Sequence, residues 1–96
     1  MILNFKDATT ADVFHGNSSK ASRKLPVALH AIACRKLDWL NAAQSLDDLK
    51  SPPGNRLEKL KGDDVGFHSI RINDQWRIIF KWQNGNAADV QIIDYH

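Results

Sequence analysis

The chain has 96 residues, 43% of them apolar and 25% charged, with a formal net charge of +2. That length supports one domain and one core, and its single cysteine, Cys34, excludes an internal disulfide and a thiolate metal cluster. No apolar run approaches the roughly 20 residues that cross a bilayer, and the opening "MILNF" is too short for a signal-peptide core. A cytoplasmic protein without a membrane contact, a metal or another cofactor is the expectation.

The charge is unevenly spread. Between Val13 and Leu37 stand five cations, Lys20, Arg23, Lys24, Arg35 and Lys36, and no acid. From Lys50 to Trp82 there are seven cations against four acids, a local balance of 7 − 4 = +3. Such clusters suit a phosphate backbone or an acidic protein, although a plain solvated face has the same look.

In chain order, "ILNF" reads as a short first strand. "DATTADVFHGN" has helix-starting residues in front and a "GN" stop behind, so it predicts a short helix. The basic stretch "GNSSKASRK", within residues 15–24, reads as a flexible loop or a segment that orders on a partner. Pro26 then suits a first helical position, and Leu29, Ile32, Ala33, Leu37 and Leu40 recur at spacings of three and four, one apolar stripe of a second helix. Arg35 and Lys36 fall beside or opposite that stripe. Trp39 shares an edge with Ile32 and Ala43, which suits core packing or a partner surface, with core packing preferred. Cys34 lies off the stripe without an activating base nearby in sequence, so it reads as structural. "SLDDLK" suits one more helical turn, ended by "SPPGN". "RLEKLKG" is a short strand or a connection. "GFHSIRIN", "QWRIIFKW" and "ADVQIIDYH", divided by "ND" and "NGN", predict a three-stranded meander. Helices first and an antiparallel sheet second make the class α+β.

Strand alternation assigns faces. In "QWRIIFKW", Trp76, Ile78, Phe80 and Trp82 should meet the helices, leaving Arg77, Ile79 and Lys81 on a face suited to a polyanion. Val90, Ile92 and Asp94 alternate with Gln91, Ile93 and Tyr95, so Asp94 and Tyr95 should part to opposite faces. Arg77 should come close to the chain's end, where Asp94, Tyr95 and His96 collect a carboxylate, a phenol and an imidazole. Ionisable groups gather in this way at reactive sites and also in plain ion-pair networks.

The run "SPPGNRLEKLKGDDVGFHSIRINDQWRIIFKW" with a terminal "DYH" resembles the HigB toxins of toxin–antitoxin pairs, within the RelE/ParE superfamily, over essentially the whole chain. The resemblance implies a single small domain, residues 1–96, with two helices packed on a curved, mainly antiparallel sheet. It implies a metal-independent endoribonuclease that cleaves translated messenger RNA on the ribosome and so arrests growth. It also implies a HigA-type helix-turn-helix antitoxin through which the pair meets operator DNA. By motif position, Lys61 in "LKG" matches a basic residue of the family's active surface and Arg77 its phosphate-contacting arginine. Asp94, Tyr95 and His96 match terminal residues linked with activity. Some members have a histidine three residues before the "LKG" lysine, where this chain has Glu58. A carboxyl with an ordinary pKa of about 4.3, against about 6.5 for histidine, moves the base role to Glu58 or to His96.

Metal-free RNA cleavage by the substrate's own 2′-OH needs a base, cations for the phosphorane and an acid for the leaving oxygen. Arg77 suits the phosphorane because guanidinium matches phosphate geometry, with Lys61 and Lys81 adding charge. His96 exchanges protons near neutrality, Asp94 orients a neighbour, and Tyr95 stacks on a base or donates its proton. Lys20, Arg23, Lys24, Arg71 and Lys81 are the candidate contacts to RNA or the ribosome. Two rivals stand beside this reading: a non-catalytic gyrase poison of the ParE type, which the resemblance to the superfamily also allows, and a plain RNA-binding module.

Overall fold

The structure, a computed structural model, describes residues 1–62 and 66–94. Helix α1 spans Ala8–His15. Asp7 starts it because its carboxylate accepts the Thr10 N–H at 2.8 Å, taking up one of the donors a helix start leaves unpaired. Gly16 ends it in the left-handed region at φ 72°, where the backbone needs no Cβ.

The basic stretch that follows carries its own hydrogen bonds. The Ser19 hydroxyl donates to Asp12, the Ser19 N–H donates to the Ser22 hydroxyl, and Ser22 is buried. A 3-10 turn over Ser22–Lys24 leaves Lys20, Arg23 and Lys24 exposed. Pro26 precedes a second 3-10 turn, Val27–Leu29, so the main helix α2 begins later than the proline suggests, at His30–Ala42. Its stripe is as expected: Ala33, Leu37 and Leu40 are fully buried, with Leu29 and Ile32 packed against the core. Cys34 is half-buried, its thiol directed at the Phe14 carbonyl, and burial followed by Asp38 raises its pKa, as suits an inert thiol.

Two side chains of α2 depart from the reading. Trp39 is 39% exposed rather than in the core, because it sits one position off the stripe and covers a shallow groove beside Ala42, Ala43 and Pro52. Lys36, expected at or beyond the stripe's edge, is buried. Its ammonium donates to Asn55 at 2.5 Å and lies 5.6 Å from the Trp39 ring.

The strands are β1 (Glu58–Lys59), β2 (Phe67–Arg71), β3 (Trp76–Gln83) and β4 (Asn86–Asp94), in one antiparallel sheet of order β1-β2-β3-β4. The β3–β4 link is the two-residue turn the "NG" pair announces, with Asn84 at φ 51° and Gly85 at φ 79°. The "ND" link is closed by Asn73, whose side chain accepts the Gln75 and Trp76 N–H groups. "ILNF" forms no named strand. It runs parallel to β4 through bridges at Ile2–Ala87 and Phe5–Val90. Beyond it, Thr10 of α1 accepts the Ile92 N–H at 2.8 Å. The outer edge of β4 is therefore covered rather than left open for aggregation.

The core lies between this sheet and the helices, around Leu25, Leu37, Leu40, Ile70, Ile78, Phe80 and Val90. His68 closes one end, stacked on Phe80 with centroids 5.9 Å apart. Burial, and next the charge of Lys59, push its pKa below the ordinary value. The unfolded chain thus takes up this proton at a higher pH than the fold does. Stability falls as pH drops through about 6.5 toward the lower folded value. Thermal midpoints measured from pH 7 to pH 5 should decline for the wild type, and His68→Gln should flatten that slope.

Candidate active site

The sheet face turned from the helices carries Glu58 of β1, Phe67, Ser69 and Arg71 of β2, and Arg77, Ile79 and Lys81 of β3. Arg77 is its centre, but not as the exposed cation that alternation alone suggests. It is 8% exposed. Small Ser69 on the neighbouring strand leaves room for the guanidinium to lie against the sheet. Its Nε donates to the Ser69 hydroxyl at 2.9 Å, one Nη donates to the Arg56 carbonyl at 2.7 Å, and the other stands 3.8 Å from the Glu58 carboxylate.

The Arg56 carbonyl is available to Arg77 because of local backbone geometry. The 3-10 turn Pro53–Asn55 ends with Arg56 in the left-handed region, φ 45° and ψ 57°. A bulky side chain adopts that conformation only under constraint. The constraint is the buried Asn55 next to it, which accepts from Lys36 of α2 and donates to the Leu49 and Ser51 carbonyls. Burial, then Arg71, then Arg35 lower the Lys36 pKa, so the ammonium depends on this acceptor. A continuous path runs from α2 through Lys36 and Asn55 to the Arg56 carbonyl and Arg77.

The other sequence-derived candidates divide between places. Glu58 is exposed at the Arg77 guanidinium. Arg71 sits directly opposite Arg77 in the register and ion-pairs with Asp74. Lys81 lies four residues along β3, 3.8 Å from Asp89. Lys61 is exposed just past β1. Asp94 pairs with Trp76 in the register, on the other side of β4 from Ile93, which faces Arg77. The Gln75 side chain donates to it at 3.1 Å. Lys24 lines a groove of about 310 Å³ with Asp7, Thr9, Trp76 and Ile92, on that same side. Tyr95 and His96 lie outside the described residues.

Sequence reasoning missed Ser69, Arg56, Asn55 and Lys36. The one visible signal was Ser69, a small residue in a strand of larger ones. Among the described residues, no group of three or more His, Cys, Asp or Glu side chains is placed to hold a metal ion, and no helix is long and apolar enough to cross a membrane. A deeply seated guanidinium with a carboxylate at its edge can hold a phosphate in one orientation and leave a proton acceptor beside it.

Replacing Asn55 with Leu strands the Lys36 ammonium. It should cost about 1.5–3 kcal/mol, the worth of a hydrogen bond to a charged group, read as a lower urea midpoint. Lys36→Met in the same chain should restore part of that loss.

Residues 3–96 match the model of a HigB-like toxin family, described as a RelE-like toxin of the type II toxin–antitoxin system HigB. The chain is 40% identical over 92 residues to Toxin HigB-1 of Vibrio cholerae, covering 96% of this chain and 95% of that protein. A 41-residue stretch is 44% identical to Endoribonuclease HigB of Proteus vulgaris, covering 43% of this chain and 45% of that one. Among solved structures, the YoeB-YefM complex from Staphylococcus aureus contains a chain of the same fold. It has a TM-score of 0.55 and 16% identity, with 100% of this chain and 99% of that chain covered.

Proposed function

The chain belongs to the HigB-like family of RelE-like toxins of type II toxin–antitoxin systems, and we propose that it is an endoribonuclease that cuts messenger RNA on the translating ribosome. The observation that carries this reading is the Arg77 guanidinium, locked by Ser69 and the Arg56 carbonyl with Glu58 at its edge. A phosphorane gains most from a cation that needs no reorganisation when the charge develops. Arg77 fills that role. Its Nη hydrogens not given to the Arg56 carbonyl meet a non-bridging phosphate oxygen while Lys61 adds a point charge from the end of β1.

The substrate's 2′-OH attacks its own phosphate, and the proton goes to Glu58 or to His96. The departing 5′-oxygen takes a proton from the remaining acid of the chain's end, with Tyr95 stacking on the adjoining base or serving as donor. Asp94 orients that end of β4, held from Gln75. No cofactor enters these steps. Lys20, Arg23, Lys24, Arg71 and Lys81 meet ribosomal or messenger RNA through phosphates. As a toxin of its type the chain has an antitoxin partner; a HigA-type helix-turn-helix protein, carrying the pair to operator DNA, fits the family best. The place of action is the cytoplasm.

Primer extension on a reporter message in a translating extract tests this directly. Wild-type protein should create new 5′ ends within codons, only when ribosomes are active. Arg77→Ala should lower their yield by about 10²–10³. An intact message in an extract whose protein synthesis has nevertheless stopped would exclude cleavage and turn attention to inhibition by binding alone.

A further inference from the structure

Phe67 and Lys6 have no part in the chemistry at Arg77, yet the fold draws them together. Lys6 follows the segment beside β4, and Phe67 is on β2, so β4 and β3 lie between them. Three strand spacings part their backbones by about 14 Å, and the two long side chains close that gap. The Lys6 ammonium is 5.9 Å from the centre of the Phe67 ring, and the Lys81 ammonium is 5.2 Å from it. Two cations thus reach over one half-buried ring.

The strand beside them is bent by a bulge. Between Ile79 and Lys81 the β3–β4 register shifts, and Asp89 takes φ 52° in a bulge. That bend is held reciprocally: Asn4 donates to the Asp89 carboxylate at 2.8 Å, and the Asp89 N–H donates to the Asn4 carbonyl oxygen of its side chain at 3.0 Å. From this fixed position the carboxylate stands 3.8 Å from Lys81 and steadies it over the ring. A left-handed aspartate, a reciprocal amide pair and an ion pair all serve one arrangement of lysine and aromatic. Strain of this kind collects at functional positions.

We propose that Phe67, Lys6 and Lys81 form a nucleotide subsite for single-stranded RNA, in which a base stacks on the Phe67 ring and the two ammoniums take the adjoining phosphate. Lys81 is four residues from Arg77 along β3, about 13 Å at strand rise, on the same face. An extended single strand thus reaches both points, its phosphates supplying the charge each needs. The ring decides between RNA and an acidic peptide: a carboxylate uses the ammoniums alone, whereas a base uses the π-face as well. The ribonuclease reading supplies only the identity of the strand.

The test is fluorescence anisotropy of a short labelled RNA whose 2′-hydroxyls are all methylated, so that it cannot be cleaved, with the full chain at several salt concentrations. Phe67→Leu should weaken binding about tenfold or more with the salt dependence unchanged, while Phe67→Trp should preserve it. Lys6→Gln should weaken binding and lower the slope of log affinity against log salt by about 0.7. Equal binding by wild type and Phe67→Leu, with both folded by thermal melt, would overturn the subsite. So would an acidic peptide that displaces the RNA and binds both proteins alike. The two readings fail separately. Phe67-dependent binding with an intact message on ribosomes removes the ribonuclease and keeps the subsite. Arg77-dependent cleavage with Phe67 irrelevant to binding does the opposite.

Discussion

The site depends on one constraint: an arginine side chain lies inside a sheet face and not above it. Burying a guanidinium is costly unless its donors are met, and here partners among the described residues come from separate parts of the chain. Ser69 comes from the next strand, Arg56 from the turn after Pro53 and Glu58 from the edge strand. Each partner is itself placed by something else. Arg56 holds its left-handed backbone because Asn55 is fastened from two sides, and Asn55 is fastened to α2 through Lys36. The long helix therefore contributes more than an apolar stripe. It sets the direction of one carbonyl beneath the sheet, and through it the orientation of the Arg77 guanidinium.

The second feature is the shape of that face. An antiparallel sheet twists smoothly where its register is unbroken. The bulge at Asp89 adds bend where β4 would otherwise run on in register, and the N-terminal segment follows that bend through hydrogen bonds to Ala87 and Val90. Covering the edge of β4 and curving the sheet are thus one act. The segment that protects the edge also delivers Lys6 to the Phe67 ring, because Phe5 turns into the core and the next side chain turns out of it.

Much of this was legible in the residues. Asp7 and Gly16 mark the ends of α1 by their own chemistry. "NG" demands a two-residue turn, and the alternation of Trp76, Ile78, Phe80 and Trp82 names the core face. What stayed hidden depends on contacts between residues distant in sequence. That Arg77 is buried follows from Ser69 eight residues away and Arg56 twenty-one away, and neither spacing is visible to a helical or strand period. Lys36 looked like a surface cation because lysine is rarely buried; its acceptor, Asn55, sits in a turn that composition marks only as a stop. Trp39 looked apolar enough for the core, but its helical angle puts it just outside. The bulge has no signature in "NAADVQ" beyond an aspartate, one of the few residues that tolerate the left-handed region.

Alternation also bears on the terminal residues. Val90 and Ile92 face the core, so Asp94 continues on that side, opposite Trp76 and beside Gln75. Ile93 continues on the side of Arg77. The carboxylate of "DYH" and the arginine of "QWRI" are thus assigned to opposite faces of adjacent strands, and a straight strand does not make them one constellation. Glu58, distant in sequence from the terminus, is a carboxylate that the fold sets on the arginine's own face, 3.8 Å from its guanidinium. The position at which some HigB proteins carry a histidine, three residues before the "LKG" lysine, is therefore occupied here by a carboxylate that stands 3.8 Å from the Arg77 guanidinium.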